Sequence, residues 1–370
     1  MTGEAIEVVY RVRAAAEDID VRIEALLLEQ TVELPRSAVR SAFVREHLVG
    51  RVVAIEPLEA EAYRVTLAQP SLAAAGDPAQ LLNVLFGNCS LQPDVELEDL
   101  RLPESLRKSL GGPRFGIEGL RRLLGVRGRA VTASVIKPVG LSAGEAAALC
   151  TTLARSGLDI IKDDHGLADH AFCPFRERVA ACLAAARDAS QRAGRRILYV
   201  PNLIGPPTTV MRQASLAREI GIEAVMVSPM LVGLPALSEL AGEAGMPILA
   251  HPAFGGSLRI DARALLGKLF PLYGADAVIY PNFGGRFSYS RETCAGIAGA
   301  LRAPDTGNAA AFPVPAGGLK VETMEDTLGF YGADTVLLIG GSLLDSPDEA
   351  ALLSRCGQFV QAVHSHDYRR

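Results

Sequence analysis

From Arg129 onward, short apolar segments return at near-even intervals, and that beat constrains the fold more than any other feature of the chain. The segments are AVTASVIKP (130–138), LDIIKDD (158–164), RILYVPN (196–202), AVMVSPM (224–230), PILAHPA (247–253), AVIYPNF (277–283), AAFPVPAGG (310–318) and TVLLIGG (335–341). Their starts lie about 23 to 38 residues apart, the length of one strand plus one returning helix. Ala/Leu-rich stretches with helical periodicity, such as GEAAALCTTLARSG and RERVAACLAAARDASQRAG, fill the intervals. Eight strand–helix units over about 215 residues predict a (β/α)8 barrel. The alternative is a doubly wound open sheet, which usually has fewer strands and often an early GxGxxG turn; the chain carries no such turn.

The first 110 residues have a different texture. AIEVVYRVRA and RVVAIEPLEAEAYRVTLAQP alternate like strands, whereas DIDVRIEALLLEQTVEL and DPAQLLNVLFGN fit helices covering one sheet face. This predicts an α+β sandwich over residues 1–112 and a barrel over 113–370, with the glycine-rich SLGGPRFGIEGLRRLLGV (109–126) as the hinge. A chain of 370 residues, 49% apolar, is long enough for two such cores. A net charge of −5 with no dense Lys/Arg run argues against a nucleic-acid partner. The opening MTGEAIEVVYRV reads directly into a strand without a leader pattern, and no apolar run reaches the ~20 residues of a membrane span. Six cysteines without CxxC spacing read as reduced, buried thiols. The expectation is a cytoplasmic protein that meets no membrane.

Barrel enzymes keep their chemistry at the C-terminal ends of the strands. In order, those ends carry Lys137, then Lys162-Asp163-Asp164-His165, Asn202, Ser228, His251, Tyr280 with Asn282, Gly317-Gly318, and Gly340-Gly341. Side chains alternate along a strand, so Lys162 and Asp164 share a face and Asp163 points to the other. Two carboxylates and an imidazole suit a hard cation such as Mg²⁺. Lys162 joins such a set only as an anionic CO2 adduct, a carbamate; otherwise it pairs with Asp164. Lys137, before a proline that ends its strand, is either an acid–base group or a lysine reaching out along the rim. The glycine pairs after segments seven and eight are either a phosphate cradle of backbone amides or two tight turns. His251 is either a site residue or a structural imidazole. YPNFGGRFSYSR, with Arg286 and Arg291, is either an anion-gripping loop or a surface turn.

Together GLDIIKDDHG, FCPFRERV, ASVIKPVGLS, GGPRFGIEGLR, VPAGGL and LIGGSLL resemble the ribulose-bisphosphate carboxylase (RuBisCO) large-chain superfamily. The resemblance covers the barrel and hinge well and the first 110 residues more loosely. It implies an N-terminal ferredoxin-like α+β domain, a C-terminal (β/α)8 barrel, and a homodimer with shared active sites. Glu29 and Asn88 are the residues a partner subunit would contribute. It also implies that Lys162 is carbamylated and binds Mg²⁺ with Asp164 and His165. By the same resemblance Lys137 is catalytic, His251 binds substrate, and Gly317, Gly318, Gly340 and Gly341 hold phosphate, with Asn282 beside them orienting sugar hydroxyls.

The departures from the superfamily pattern are as informative. His165 stands where glutamate is usual, Val139 replaces a second lysine, and Pro252 replaces an arginine that grips a phosphate. No lysine lies between Tyr280 and Cys294, where carboxylases hold CO2. The chain therefore resembles the non-carboxylating RuBisCO-like proteins (form IV), most of all those that isomerise 5-methylthioribulose 1-phosphate in methylthioadenosine salvage. Its expected chemistry is Mg²⁺-dependent enolisation of a ketose monophosphate, with Phe254 and Phe283 as candidates for an apolar methylthio pocket. The alternatives are a decarboxylase or transcarboxylase of a 3-oxo-isoapionate-type sugar phosphate, with Arg286 or Arg291 meeting its carboxylate, or a diketo-methylthiopentyl-phosphate enolase.

Overall fold

The computed structural model describes residues 4–59, 61–285, 287, 289–303 and 309–368. Its N-terminal sheet starts with β1 (Ala5–Arg13), whose AIEVVYRVR pattern buries Ile6, Val8, Tyr10 and Val12 and turns the alternate residues outward. With β2 (Arg51–Glu59), β3 (Ala62–Pro70) and β4 (Val95–Arg101) it forms an antiparallel sheet in the order β2-β3-β1-β4. Helices Ile19–Glu29 and Pro78–Phe86 make the two crossovers, which gives the βαββαβ plan of a ferredoxin-like domain. The second helix starts where its sequence requires: Asp77 accepts from the Gln80 amide at 2.7 Å and Pro78 occupies the first turn. Strand β4 was not legible in the pattern of the chain, yet it completes this sheet and reaches the barrel. Leu97 exchanges backbone hydrogen bonds with Arg259 and Asp261 at 3.0 and 2.8 Å.

The barrel strands are β5 (Val131–Ile136), β6 (Ile160–Asp163), β7 (Leu198–Val200), β8 (Asn202–Leu203), β9 (Val225–Val227), β10 (Ile248–Ala250), β11 (Ala277–Pro281), β12 (Phe312–Ala316) and β13 (Val336–Leu338). All pair in parallel, in the order β7-β6-β5-β13-β12-β11-β10-β9-β8. The nine segments are eight staves. Strands β7 and β8 are one strand interrupted at Pro201, which has no amide hydrogen to give; β7 pairs with β6 and β8 with β9, so the ring closes through it. Period-two alternation sends Val131, Ala133, Ile160, Leu249, Ile279, Val314 and Leu338 into the barrel. Ile136, Ile161 and Tyr280 face the surrounding helices.

The stretch read as a hinge does more than connect. Gly116–Leu124 is a helix whose Ile117, Leu120 and Leu124 pack against the inward barrel residues and stop its N-terminal end. Asp276, just before β11, accepts from the Phe115 and Gly116 amides at 2.6 and 2.8 Å, capping that helix from another part of the chain. Gly116 is obligatory at this junction: its φ is +57°, and a Cβ would lie 2.4 Å from the Ala310 carbonyl. All six cysteines are buried and free. Among the described residues no helix is long and apolar enough to cross a membrane.

Candidate active site

A cavity of about 1060 Å³ opens at the C-terminal end of the barrel. Strand parity selects its floor: Val135 and Lys137 extend the inward face of β5, Lys162 and Asp164 that of β6, His251 that of β10, and Gly340 that of β13. Every one of these lines the cavity, as do His165, Gly317, Gly318 and Gly341.

The charged sector is compact. Asp164 Oδ1 lies 3.3 Å from Lys137 Nζ and 3.4 Å from His165 Nδ1. Burial raises the Asp164 carboxyl, but the His165 contact and the charges of Lys137 and Lys162 outweigh it and hold the group well below the usual carboxylate range. Lys162 is buried, donates to the Asp163 carbonyl at 2.9 Å, and is lowered by burial from 10.5 to about 8, against the pull of Asp164. His251 stacks on His165 with ring centroids 4.1 Å apart. The Ala253 amide donates to His251 Nδ1 at 3.1 Å, so the neutral ring carries its proton on Nε2. Burial and the neighbouring Lys162 keep it neutral, with its pKa pushed down to about 2.

Asp163 points the other way, as alternation requires. It is buried against Arg178 (3.1 Å), the Tyr199 hydroxyl (2.7 Å) and the Asn202 amide (3.1 Å). Asn202 in turn donates through Nδ2 to the His165 and Leu167 carbonyls at 2.9 and 3.1 Å. The turn that presents Asp164 and His165 is thus held from behind by groups outside the cavity.

The glycine sector is bare backbone. None of the amides of Gly317, Gly318, Gly340 and Gly341 donates to an acceptor among the described residues. The loops after β11 and β12 touch backbone on backbone: a Cβ on Gly318 would lie 2.3 Å from Gly285 Cα, and Gly318 has φ +126°. The apolar side chains of Phe254, Leu258, Ile260, Leu265, Leu266 and Tyr289 line the same cavity. The β4–Ile260 pairing holds part of that lining to the N-terminal domain.

Not every candidate reaches the cavity. Asn282 faces outward, accepts from the Tyr331 hydroxyl at 2.7 Å, and donates to the Phe283 carbonyl. Phe283 packs on Phe330 and Tyr331 beneath Arg291, so of the two phenylalanines only Phe254 lines the cavity. Arg291 forks to Asp326 at 3.2 Å and lies off the cavity wall, while Arg286 falls outside the described residues. Asn88 Nδ2 donates to Glu29 Oε1 at 2.9 Å in a small separate recess of the N-terminal domain. Lys320, two residues past the Gly317-Gly318 pair, lines the cavity without having been singled out in the sequence. Its signal was available, as a cation in the same loop as the glycines.

A divalent cation fits this site on one condition. Among the described residues no three His, Cys, Asp or Glu side chains are grouped to hold a metal. Asp164 and His165 could supply two donors, and Lys162 would add a third only if converted by CO2 into an oxygen ligand. Its burial favours the neutral amine that reacts with CO2, and parity aims it to the same side as Asp164.

Residues 116–261 match the family model described as the ribulose bisphosphate carboxylase large chain, catalytic domain. The chain is 45% identical to ribulose bisphosphate carboxylase-like protein 1 of Rhodopseudomonas palustris, over 98% of this chain and 99% of that one. It is 41% identical to the 5-methylthioribulose-1-phosphate isomerase of Rhodospirillum rubrum, over 97% and 96%. A crystal structure of a Rubisco-like protein from Rhodopseudomonas palustris superimposes with a TM-score of 0.92 at 42% identity and covers 100% of both chains. With an antiparallel ferredoxin-like domain, a parallel barrel and these relatives, the chain belongs to the RuBisCO-like protein family.

Proposed function

We propose that this chain moves a proton at the carbon beside the carbonyl of a ketose monophosphate, 5-methylthioribulose 1-phosphate being the preferred substrate, and that it fixes no CO2. The observation that carries the reading is one cavity lined by the Lys137–Asp164–His165 cluster, by four glycines whose amides have no acceptor among the described residues, and by apolar side chains.

Lys162 as its carbamate, Asp164 and His165 would hold Mg²⁺, which when bound supplies Lewis acidity to a carbonyl and the hydroxyl beside it. The chain's own groups do the rest. The amides of Gly317, Gly318, Gly340 and Gly341 hold the phosphate and fix the sugar's register. His251 Nε2 donates to a sugar hydroxyl. Lys137 Nζ, held at the mouth by Asp164, acts as the base only after giving up its own ammonium proton. It then takes the proton from one carbon and returns it to the next, a role the Lys162 carbamate could fill instead. Phe254 and Leu258 cover the methylthio end and exclude water from it. The absence of a lysine between Tyr280 and Cys294 supports a reaction without carboxylation. The reading extends to a cytoplasmic homodimer in which Glu29 and Asn88 of one subunit complete the cavity of the other.

The apolar lining favours methylthio over a carboxylate-bearing substrate, because Arg291 is engaged with Asp326 and the two aromatic rings. Proton NMR in D2O with candidate ketose phosphates is the test. Deuterium entering the carbon beside the carbonyl without CO2 release is the expected result. CO2 release would replace the isomerase with a decarboxylase, and no exchange with any ketose phosphate would end the reading.

A further inference from the structure

Three lysines line the cavity, and two are engaged. Lys137 pairs with Asp164 at 3.3 Å, and Lys162 is buried against the Asp163 carbonyl. Lys320 is exposed at the rim, and no carboxylate among the described residues lies within ion-pair distance of it. Its loop is built to hold it there. Leu319, just before it, is buried, and the Leu319 carbonyl accepts from Ser342 Oγ at 3.0 Å, tying the loop after β12 to the loop after β13. On the other side Lys320 is fixed by the turn in which Thr323 donates to its carbonyl. The four free glycine amides therefore lie in two cross-linked loops, with an unneutralised ammonium at their edge.

Amides offer dipoles but no net charge, whereas a phosphate monoester carries close to two negative charges near neutral pH. The strand end after His251 provides Pro252 rather than a cation. We propose that Lys320 is the cation of the anion site and the residue that makes it select a phosphomonoester dianion over a neutral or singly charged group. The proposal rests on the glycine loops holding the substrate's phosphate, as in the function above, but not on the proton transfer.

Inorganic phosphate is the probe, titrated calorimetrically into the full chain and into Lys320→Gln and Lys320→Arg. Lys320 is exposed, so both variants are expected to fold, and a thermal melt checks it. Losing the charge-assisted contact is expected to weaken phosphate about tenfold in Lys320→Gln and to flatten its salt dependence. Lys320→Arg, which keeps the charge, is expected to stay within about threefold of the native chain. With a ketose phosphate substrate, Lys320→Gln raises KM by more than it lowers kcat. Equal phosphate affinity in the native chain and Lys320→Gln would overturn the role of Lys320 and leave the enolisation reading standing. No phosphate binding by the native chain would overturn the anion site as a whole. Lys320-dependent binding without any deuterium exchange would sustain Lys320 and remove only the proposed reaction.

Discussion

The two ends of the barrel are made from the same strands and both hold polar groups, but they treat them differently. At the N-terminal end, buried Asp276 accepts from three amides, those of Phe115, Gly116 and Ile248. Asp159 receives both arms of the Arg129 fork at 2.7 and 2.9 Å, together with the Thr132 amide and hydroxyl. At the C-terminal end one oxygen of Asp164 serves both Lys137 and His165 at longer range, and among the described residues four amides have no acceptor and the Lys320 ammonium has no carboxylate partner. Polar groups matched within the chain stabilise it, and those left unmatched are available to a ligand.

If that division holds, substitutions at the two ends separate activity from stability. The largest effect is expected from Lys162→Ala. Turnover should fall on the order of 10³-fold or more, about 4 kcal/mol in the barrier, because the third donor of the metal set is lost. The melting temperature should move little, since the removed group is a desolvated amine whose one hydrogen bond goes to the Asp163 carbonyl. Deuterium exchange and a thermal melt read the two quantities. Carbon-13 NMR with labelled CO2 should show a carbamate signal in the native chain that the variant lacks. Full turnover in Lys162→Ala would place the chemistry elsewhere.

Asp276→Ala inverts the pattern. Three amides, two of them buried, lose their common acceptor and the Gly116–Leu124 helix loses its cap, a cost of about 3 kcal/mol. Thermal unfolding should show the drop, whereas kcat per folded molecule should stay near native because no cavity residue has changed. A variant as stable as the native chain would mean that the helix is not held from Asp276.

The sequence carried one end of this comparison better than the other. Strand parity put Lys162 and Asp164 on one side and Asp163 on the opposite side, and both placements hold. The same parity, continued past Ile279 and Pro281, points Asn282 outward to Tyr331, so its position was legible from alternation alone. The closed end was not legible. Gly111, Gly112, Pro113 and Gly116 read as a linker, whereas they bend the chain into the barrel so that the helix after them can stop it. The acceptor that caps this helix lies 160 residues further along the chain, beyond any local pattern. Strand β4 escaped for a related reason: VELEDLR carries three acidic residues, and its identity comes from pairing with β1 across a register shift. Lys320 was not legible from its neighbours alone, because a lone cation after a glycine pair has no pattern of its own; its place on the cavity comes from the turn that follows β12.

The smallest effect expected is a pH dependence at the closed end. Burial raises the Asp159 carboxyl, but the Arg129 fork and the Thr132 contacts outweigh it and leave the pKa below its ordinary 3.8. A carboxyl depressed in the folded state contributes stability above its unfolded pKa and loses that contribution as pH falls through the folded value. Asp159→Asn keeps one acceptor but cannot titrate, so near pH 7 it should be less stable than the native chain by about 1 kcal/mol. Below pH 4 the native chain should lose that advantage and the two melting curves should converge, with a slope difference of at most about 1.4 kcal/mol per pH unit. Melting temperatures of both proteins from pH 7 down to pH 3 measure it. A gap that stays constant to pH 3 would show that the Arg129 fork does not depend on the charge of Asp159. The closed end would then be held by hydrogen-bond geometry rather than by ion pairing, and the contrast with the charged mouth would become sharper.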